Sequence, residues 1–311
     1  MDQFNVYKDM KARTNGEIYI GVVGPVRTGK STFIKRFMNL MVLPNIEDEN
    51  DRNRANDELP QSSSGKTIMT TEPKFVPNEA VSIKTEEGIE LNVRLIDCVG
   101  YMVEGATGHM EGEEERLVKT PWFDYEIPFT KAAAIGTKKV ITEHSTIGVV
   151  VTCDGSFGEI AAKQYEPAEE ETIKQLKALK KPFVVLLNTI HPYSESTKQL
   201  AAEKEEKYQT KVLPMNLEQM KKEDIYEIIK SVLMEFPISS IGFYVPRWTE
   251  MLKKDHPLKM ELLQMARDVI TEKTTMRDIY EEQEKEYEYI TGQKLESVAM
   301  DSCLLYTSDA A

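Results

Sequence analysis

Cysteine is scarce in this chain: three in 311 residues, at positions 98, 153 and 303. They stand far apart and fit no metal-ligand spacing, and an odd, sparse set suits a reducing compartment rather than a disulfide framework. Long apolar runs are missing too. Stretches such as FVVLL (183–187) and IGVVV (147–151) fall far short of the roughly 20 residues that a spanning helix needs, so no transmembrane segment is expected. The start, MDQFNVYKDM, has no apolar stretch behind a basic one, and no signal peptide is read there. Positive charge is in deficit: 39 Lys and Arg against 52 Asp and Glu give a net charge of −13. Neutralising phosphates along a nucleic acid needs the opposite balance, which excludes a broad nucleic-acid footprint.

What is present is alternation. Hydrophobic residues make up 41% of the chain, enough for a real core. EIYIGVVG (17–24) reads as a buried strand and KSTFIKRFMNLMV (30–42) as a helix with an apolar face. AVSIKTEEGIELNVRLID (80–97) reads as a hairpin turning at Glu86-Glu87-Gly88. HSTIGVVVTCDG (144–155) and KPFVVLLNTI (181–190) read as further buried strands, each after a helical stretch. KVLPMN (211–216) is a short last strand and EDIYEIIKSVLMEF (223–236) a closing helix. Strands alternating with helices predict an α/β domain over residues 1–236, a mostly parallel sheet covered on both faces with one antiparallel edge. Two stretches break the rhythm: 45–66, polar and charged, and 100–129, rich in Gly, Glu and Pro. Both read as long loops, and long loops in a compact domain are usually functional or disordered. Past Pro237 the chain shows helical periodicity without strands, the expected start of a second, mainly helical domain over 237–302 that is left incomplete. CLLYTSDAA (303–311) matches nothing before it and reads as a non-native tail.

The chemistry begins at Gly24-Pro25-Val26-Arg27-Thr28-Gly29-Lys30-Ser31, which fits the phosphate-loop pattern G-x-x-x-x-G-K-[ST] between a strand and a helix. Its glycines let backbone amides turn inward around phosphates, Lys30 reaches the β- and γ-phosphates, and Ser31 offers a hydroxyl to Mg²⁺. The helix N-terminus, which includes Thr32, adds its positive end. Arg27 is placed to neutralise phosphate charge. Asp97 ends a strand and opens Asp97-Cys98-Val99-Gly100, a D-x-x-G in which the carboxylate serves the metal shell and the Gly100 amide the γ-phosphate. The loop before the hairpin carries Thr70 and Thr71, candidates to meet Mg²⁺ and the γ-phosphate. This order of parts (phosphate loop, helix, long loop, hairpin, D-x-x-G) is that of GTPase-like (TRAFAC-type) P-loop NTPases.

Two departures stand out. After D-x-x-G many GTPases place a water-orienting Gln, whereas this chain has Tyr101. Guanine readers place Asn-Lys-x-Asp after a buried strand, whereas this chain has Asn188-Thr189-Ile190-His191. No carboxylate waits there to accept two hydrogen bonds from the guanine edge, so lost guanine specificity is expected.

GVVGPVRTGKSTFIKRFMNLMVLPNI, DELPQSSSGKTIMTTEPKFVPNEA, RLIDCVGY and EHSTIGVVVTCDG closely resemble the stage IV sporulation protein A family of endospore-forming bacteria, over residues 4–300 or so. The resemblance implies a switch GTPase converted to an ATPase, with ATP and Mg²⁺ as ligands. It implies hydrolysis that drives self-polymerisation into the basement layer of the spore coat. It places the Walker A lysine on Lys30, the Walker B aspartate on Asp97 and the sensor threonines on Thr70 and Thr71. It also implies cytoplasmic residence on the mother-cell side, peripherally at the outer forespore membrane. The implied partners are the chain itself, a small amphipathic membrane-anchoring sporulation peptide and other coat proteins. Two readings compete with a polymerising ATPase: a monomeric GTPase-like regulatory switch, and a binding module with a dead nucleotide site. Tyr101 gives the last some weight; Lys30, Ser31, Thr70 and Asp97 together weigh against it.

Overall fold

The structure is a computed structural model, and it describes residues 17–60, 72–84, 90–111, 114–158, 160–238, 247–271 and 275–280. The chain divides into a first unit that runs to Val232 and a second that begins at Leu233.

The first unit is built on a six-stranded sheet. In chain order its strands are β1 (Glu17–Val23), β2 (Lys74–Lys84), β3 (Glu90–Asp97), β8 (Ile147–Cys153), β9 (Phe183–Asn188) and β10 (Val212–Met215). The small strands β4 (Met110–Glu111), β5 (Glu114–Glu115), β6 (Leu117–Thr120) and β7 (Phe123–Pro128) form two hairpins apart from it. The sheet order is β10-β9-β8-β1-β3-β2, parallel throughout except for the β2 edge. Helices lie between the strands, α1 (Lys30–Phe37), α2 (Glu49–Asp57), α3 (Phe129–Lys139), α4 (Ala162–Ala178) and α5 (Glu195–Tyr208), and α6 (Lys222–Met234) follows the last strand. Every residue of β8 and β9 is buried, as expected of central strands covered on both faces. Val23, Ile96, Val150, Val185 and Leu187 of the sheet share one apolar cluster with Ile173 and Leu176 of α4 and Ala201 of α5. Each fully buried Val, Leu or Ile there is worth about 1.5–3 kcal/mol of transfer free energy.

The α/β expectation and the antiparallel edge agree with this sheet. Three local readings need correction. The stretch 45–66 is not all loop, because α2 occupies Glu49–Asp57. That helix has almost no apolar periodicity, only Ala55 being buried. It is held at its start by Asp48, whose Oδ1 accepts from the amides of Asn50 at 2.8 Å and Asp51 at 3.0 Å, with Glu49 and Asp51 placed favourably for the helix dipole. The stretch 100–129 likewise contains the β4–β5 and β6–β7 hairpins. Finally, β2 starts at Lys74 rather than at residue 80, running through Pro77 with a register shift between Val76 and Val81. An edge strand tolerates a residue with no N–H to donate, and the opposite edge strand, β10, also carries a proline, Pro214. The turn at 86–88 lies outside the described residues.

In the second unit, Arg247–Met251 forms a 3₁₀ turn, and α7 (Pro257–Thr271) and α8 (Met276–Tyr280) follow. The Met276 amide donates to the Phe236 carbonyl at 3.0 Å. The tail at 303–311 lies outside the described residues. Among the described residues no helix is long and apolar enough to cross a membrane.

Candidate functional site

The site lies where the sheet order reverses. β1 sits between β8 and β3, and the loop that leaves its C-terminal end opens at this switch point, where parallel sheets of this kind bind their ligands. The loop runs from Gly24 to Gly29 and delivers the chain into α1. Gly29 is the N-cap, with φ 104, a left-handed conformation that glycine adopts without strain. A side chain there would also meet the Asn188 amide at 2.7 Å.

Lys30 opens α1 and is only 5% exposed. Its Nζ donates to the Pro25 carbonyl at 2.5 Å. Burial holds this ammonium below the usual lysine range, against the pull of nearby Asp97. Ser31 Oγ donates to Asp97 Oδ2 at 3.2 Å. The β1–β3 register, Val22 opposite Asp97, brings that strand end beside the loop. Among the described residues, the second carboxylate oxygen, Asp97 Oδ1, is buried with no hydrogen-bond partner. Burial pushes the Asp97 carboxyl up to about 6, with Lys30 and Ser31 pulling the other way. Cys98, next along, is also buried; burial raises its thiol to about 11, and its Sγ donates to the Val22 carbonyl at 3.4 Å, so it is an inert packing group.

Gly100 turns back over the loop with φ 95. A Cβ there would collide with the Gly24 carbonyl oxygen and sit 2.5 Å from Lys30 Nζ, so only glycine lets this segment approach. The Gly100 amide donates to Thr137 Oγ1 at 3.2 Å. The next residue is laced to the loop: Tyr101 N donates to Gly24 O at 3.2 Å and Val26 N to Tyr101 O at 2.9 Å. The Tyr101 hydroxyl points the other way, donating to Gln175 Oε1 of α4 at 2.7 Å. Its ring packs against a satellite cluster of Val26, Val103, Ala106, Ile160, Tyr165 and Ala168.

Several residues predicted to face a nucleotide are committed to the protein itself. Thr28 is buried and turns its hydroxyl onto the Pro25 carbonyl at 3.0 Å. Arg27 reaches Thr107, its Nη2 lying 3.2 Å from Oγ1 and 3.4 Å from the carbonyl. Asn188 uses both ends of its amide on backbone, Nδ2 to Thr28 O at 3.0 Å and Oδ1 from Leu217 N at 3.3 Å. It braces the phosphate loop against the segment after β10, and so acts through the loops it holds. Thr32 is half-buried in the first turn of α1. Thr70 and Thr71 lie outside the described residues.

After Asn188, Thr189 is fully buried, and its Oγ1 accepts from the His191 amide at 3.1 Å. It cannot lie under a base as the usual lysine does. His191 is exposed. The site residues missed from sequence are Thr137, Gln175 and Leu217. Thr137 sits in the bland helix segment AAAIGT, and nothing in that pattern signals a partner for a loop amide.

A phosphate loop at the switch point of a parallel sheet, with a strand-end carboxylate on its helix serine, defines a P-loop NTPase domain of the GTPase-like order. Comparison with known proteins gives the particular kind. The chain belongs to the stage IV sporulation protein A family: residues 1–237 match the model of its ATPase domain and residues 238–306 that of its middle domain. It is similar to stage IV sporulation protein A of Clostridioides difficile (strain 630), 54% identical over 275 residues, covering 88% of this chain and 56% of that protein. The Bacillus anthracis protein of that name is 47% identical over 302 residues, covering 96% and 61%. The Bacillus subtilis (strain 168) protein is 48% identical over 279 residues, covering 90% and 57%. The chain thus spans between 56% and 61% of the length of these relatives. Among solved structures, an SsGBP–GDP complex is matched over 69% of this chain and 49% of that one at 13% identity, with a TM-score of 0.39, too distant to carry weight.

Proposed function

We propose that this chain binds ATP with Mg²⁺ and hydrolyses it. As part of a protein of its relatives' length, it uses that step to drive self-assembly into the basement layer of the spore coat. The observation that carries the reading is the convergence of Lys30, Ser31, Asp97 and Gly100 on one loop. A buried ammonium is costly unless an anion meets it, and a triphosphate supplies that anion. The loop amides and the N-terminal end of α1 add donors for the same phosphates.

The fit for magnesium rests on Asp97. Its orphaned Oδ1 and the Ser31 hydroxyl are hard oxygen donors of the kind Mg²⁺ takes, and phosphate oxygens and water complete such a shell. When bound, the ion would draw charge from the β- and γ-phosphate oxygens. Ser31 and Asp97 hold that shell in place, Lys30 neutralises phosphate charge, and Thr70 and Thr71 meet the γ-phosphate. Tyr101 does not orient the attacking water, because its hydroxyl is spent on Gln175. With no carboxylate at His191 and with Thr189 buried, guanine has no dedicated reader, and ATP is the substrate favoured.

In the cell the chain works in the mother-cell cytoplasm, peripherally at the outer forespore membrane, with itself, a small amphipathic membrane-anchoring peptide and other coat proteins as partners. The names of its relatives support a role in sporulation. The test is phosphate release from ATP against GTP, followed by sedimentation with each nucleotide. ATP turnover with nucleotide-dependent pelleting of a protein of the relatives' length supports the reading. GTP-selective turnover without pelleting would mean a monomeric switch. The 311 residues alone are expected to bind nucleotide and pellet poorly.

A further inference from the structure

One contact in the site is unassigned by the reading above: the Gly100 amide is bound to a side chain of α3. Thr137 is fully buried. Its Oγ1 donates its own proton to the Ala133 carbonyl at 2.8 Å, so a lone pair faces Gly100, whose N–H donates to it at 3.2 Å. A buried threonine bonded back to its own helix is usually a satisfied core residue. Here the second bond goes elsewhere, to the one amide of D-x-x-G that the γ-phosphate reading needs.

We propose that the Thr137 hydroxyl is a latch on the γ-phosphate sensor: it holds the Gly100 amide until a γ-phosphate oxygen takes that amide over. The inference rests on the nucleotide reading given above. The physical logic is one of unequal acceptors. A buried N–H left alone is costly, so it needs a partner whenever no phosphate competes. A neutral hydroxyl is a sufficient partner, and an anionic phosphate oxygen is a stronger one. The exchange is therefore downhill only when a third phosphate is present, and a diphosphate leaves the latch closed. Because Thr137 lies on α3, the helix that directly follows the β6–β7 hairpin, release of the amide uncouples the D-x-x-G turn from that helix. The same bond thus reports the phosphate count to the insertion between β3 and α3. The tight fit of Gly100 against Gly24 O and Lys30 Nζ means that small movements of the turn are felt at once by both.

The test measures, by calorimetry with Mg²⁺, the affinities of a non-hydrolysable ATP analogue and of ADP for the 311-residue chain and for Thr137→Val, Thr137→Ala and Thr137→Ser. Valine keeps the shape and removes the lone pair. The amide then keeps only the weakly accepting Cys98 sulfur until the γ-phosphate arrives, so analogue affinity should rise by about five- to tenfold while ADP affinity stays within about twofold. Alanine should move the two affinities in the same sense, which keeps the test open should valine fail to fold. Serine restores the acceptor and should behave as the unaltered chain. A merely structural threonine would shift both ligands together. Equal shifts, or none, in Thr137→Val and Thr137→Ala overturn the latch if Lys30→Ala still weakens analogue binding. Should Lys30→Ala leave analogue binding intact, the phosphate site itself is wrong and the latch falls with it.

Discussion

Ser31 Oγ lies 3.2 Å from Asp97 Oδ2 as its donor, while Asp97 Oδ1 stays buried and unpartnered among the described residues. A strand-end carboxylate thus has one oxygen fixed by the phosphate-loop helix and one left over. Burial puts the carboxyl at about 6 instead of the ordinary 3.8, and that shift has a sign that can be tested. Above about 6 the group is a carboxylate and can take a cation; below it a proton competes with the metal. Apparent Mg²⁺ affinity should hold steady from pH 8 down to about 6 and then fall roughly tenfold per unit. An unshifted aspartate would keep its affinity down to about pH 4. Mg²⁺ titrations across that range decide between them. The folded state binds the extra proton, so this group's contribution makes the protein less stable as pH rises from 3.8 to about 6.

Asp97→Ala should slow ATP turnover far more than it weakens ATP binding, because the group acts on the metal and γ-phosphate and not on the nucleoside. A loss of about 100-fold or more in turnover is expected. Parallel losses in turnover and affinity, from steady-state assays and calorimetry, would contradict that division of labour.

Lys30→Ala should cost ATP binding about 2–3 kcal/mol, the worth of a charge-assisted contact in a dry site. Calorimetry on a variant shown to be folded is the check, and unchanged affinity is the outcome that removes the phosphate-site assignment.

Tyr101→Phe should leave turnover within about twofold while lowering stability by about 1 kcal/mol, because the lost hydroxyl bonds Gln175 and not a reacting group. A large drop in turnover at unchanged stability would place that hydroxyl in the chemistry after all.

ATP should be hydrolysed at least as well as GTP. His191→Asp is the change expected to raise the relative affinity for GTP, since residue 191 is exposed and can offer a carboxylate. Adding Thr189→Lys should not help: position 189 is fully buried, and a charge there should lower the unfolding midpoint by several degrees, about the effect of 1–2 kcal/mol in a domain of this size. Competition binding and thermal melts read the two arms.

The sheet was legible because β1, β8 and β9 are apolar along their length and sit between clear helix patterns. The phosphate loop was legible because its glycines and lysine have one physical purpose at that spacing. α2 was not, because it is a helix held by its cap and charges with nothing apolar to repeat. The first half of β2 was hidden by Pro77-Asn78-Glu79, which reads as a turn unless the strand is known to be an edge. At the site, residue types were readable and their directions were not. Thr28, Arg27 and Asn188 look like ligand contacts by position, yet each spends its side chain on the protein, and the partner of the Gly100 amide comes from a helix residue distant in sequence.

Both outer strands of the main sheet contain a proline, Pro77 in β2 and Pro214 in β10. Each removes an amide from the rim where a stray chain would otherwise dock by main-chain bonding, a contact blind to identity. A molecule proposed to accumulate at high local density on a curved surface thereby closes off the cheapest way of sticking to its neighbours. In the proposed assembly, contacts between copies would then fall to side chains, where fit selects the neighbour and a chemical event can decide the moment.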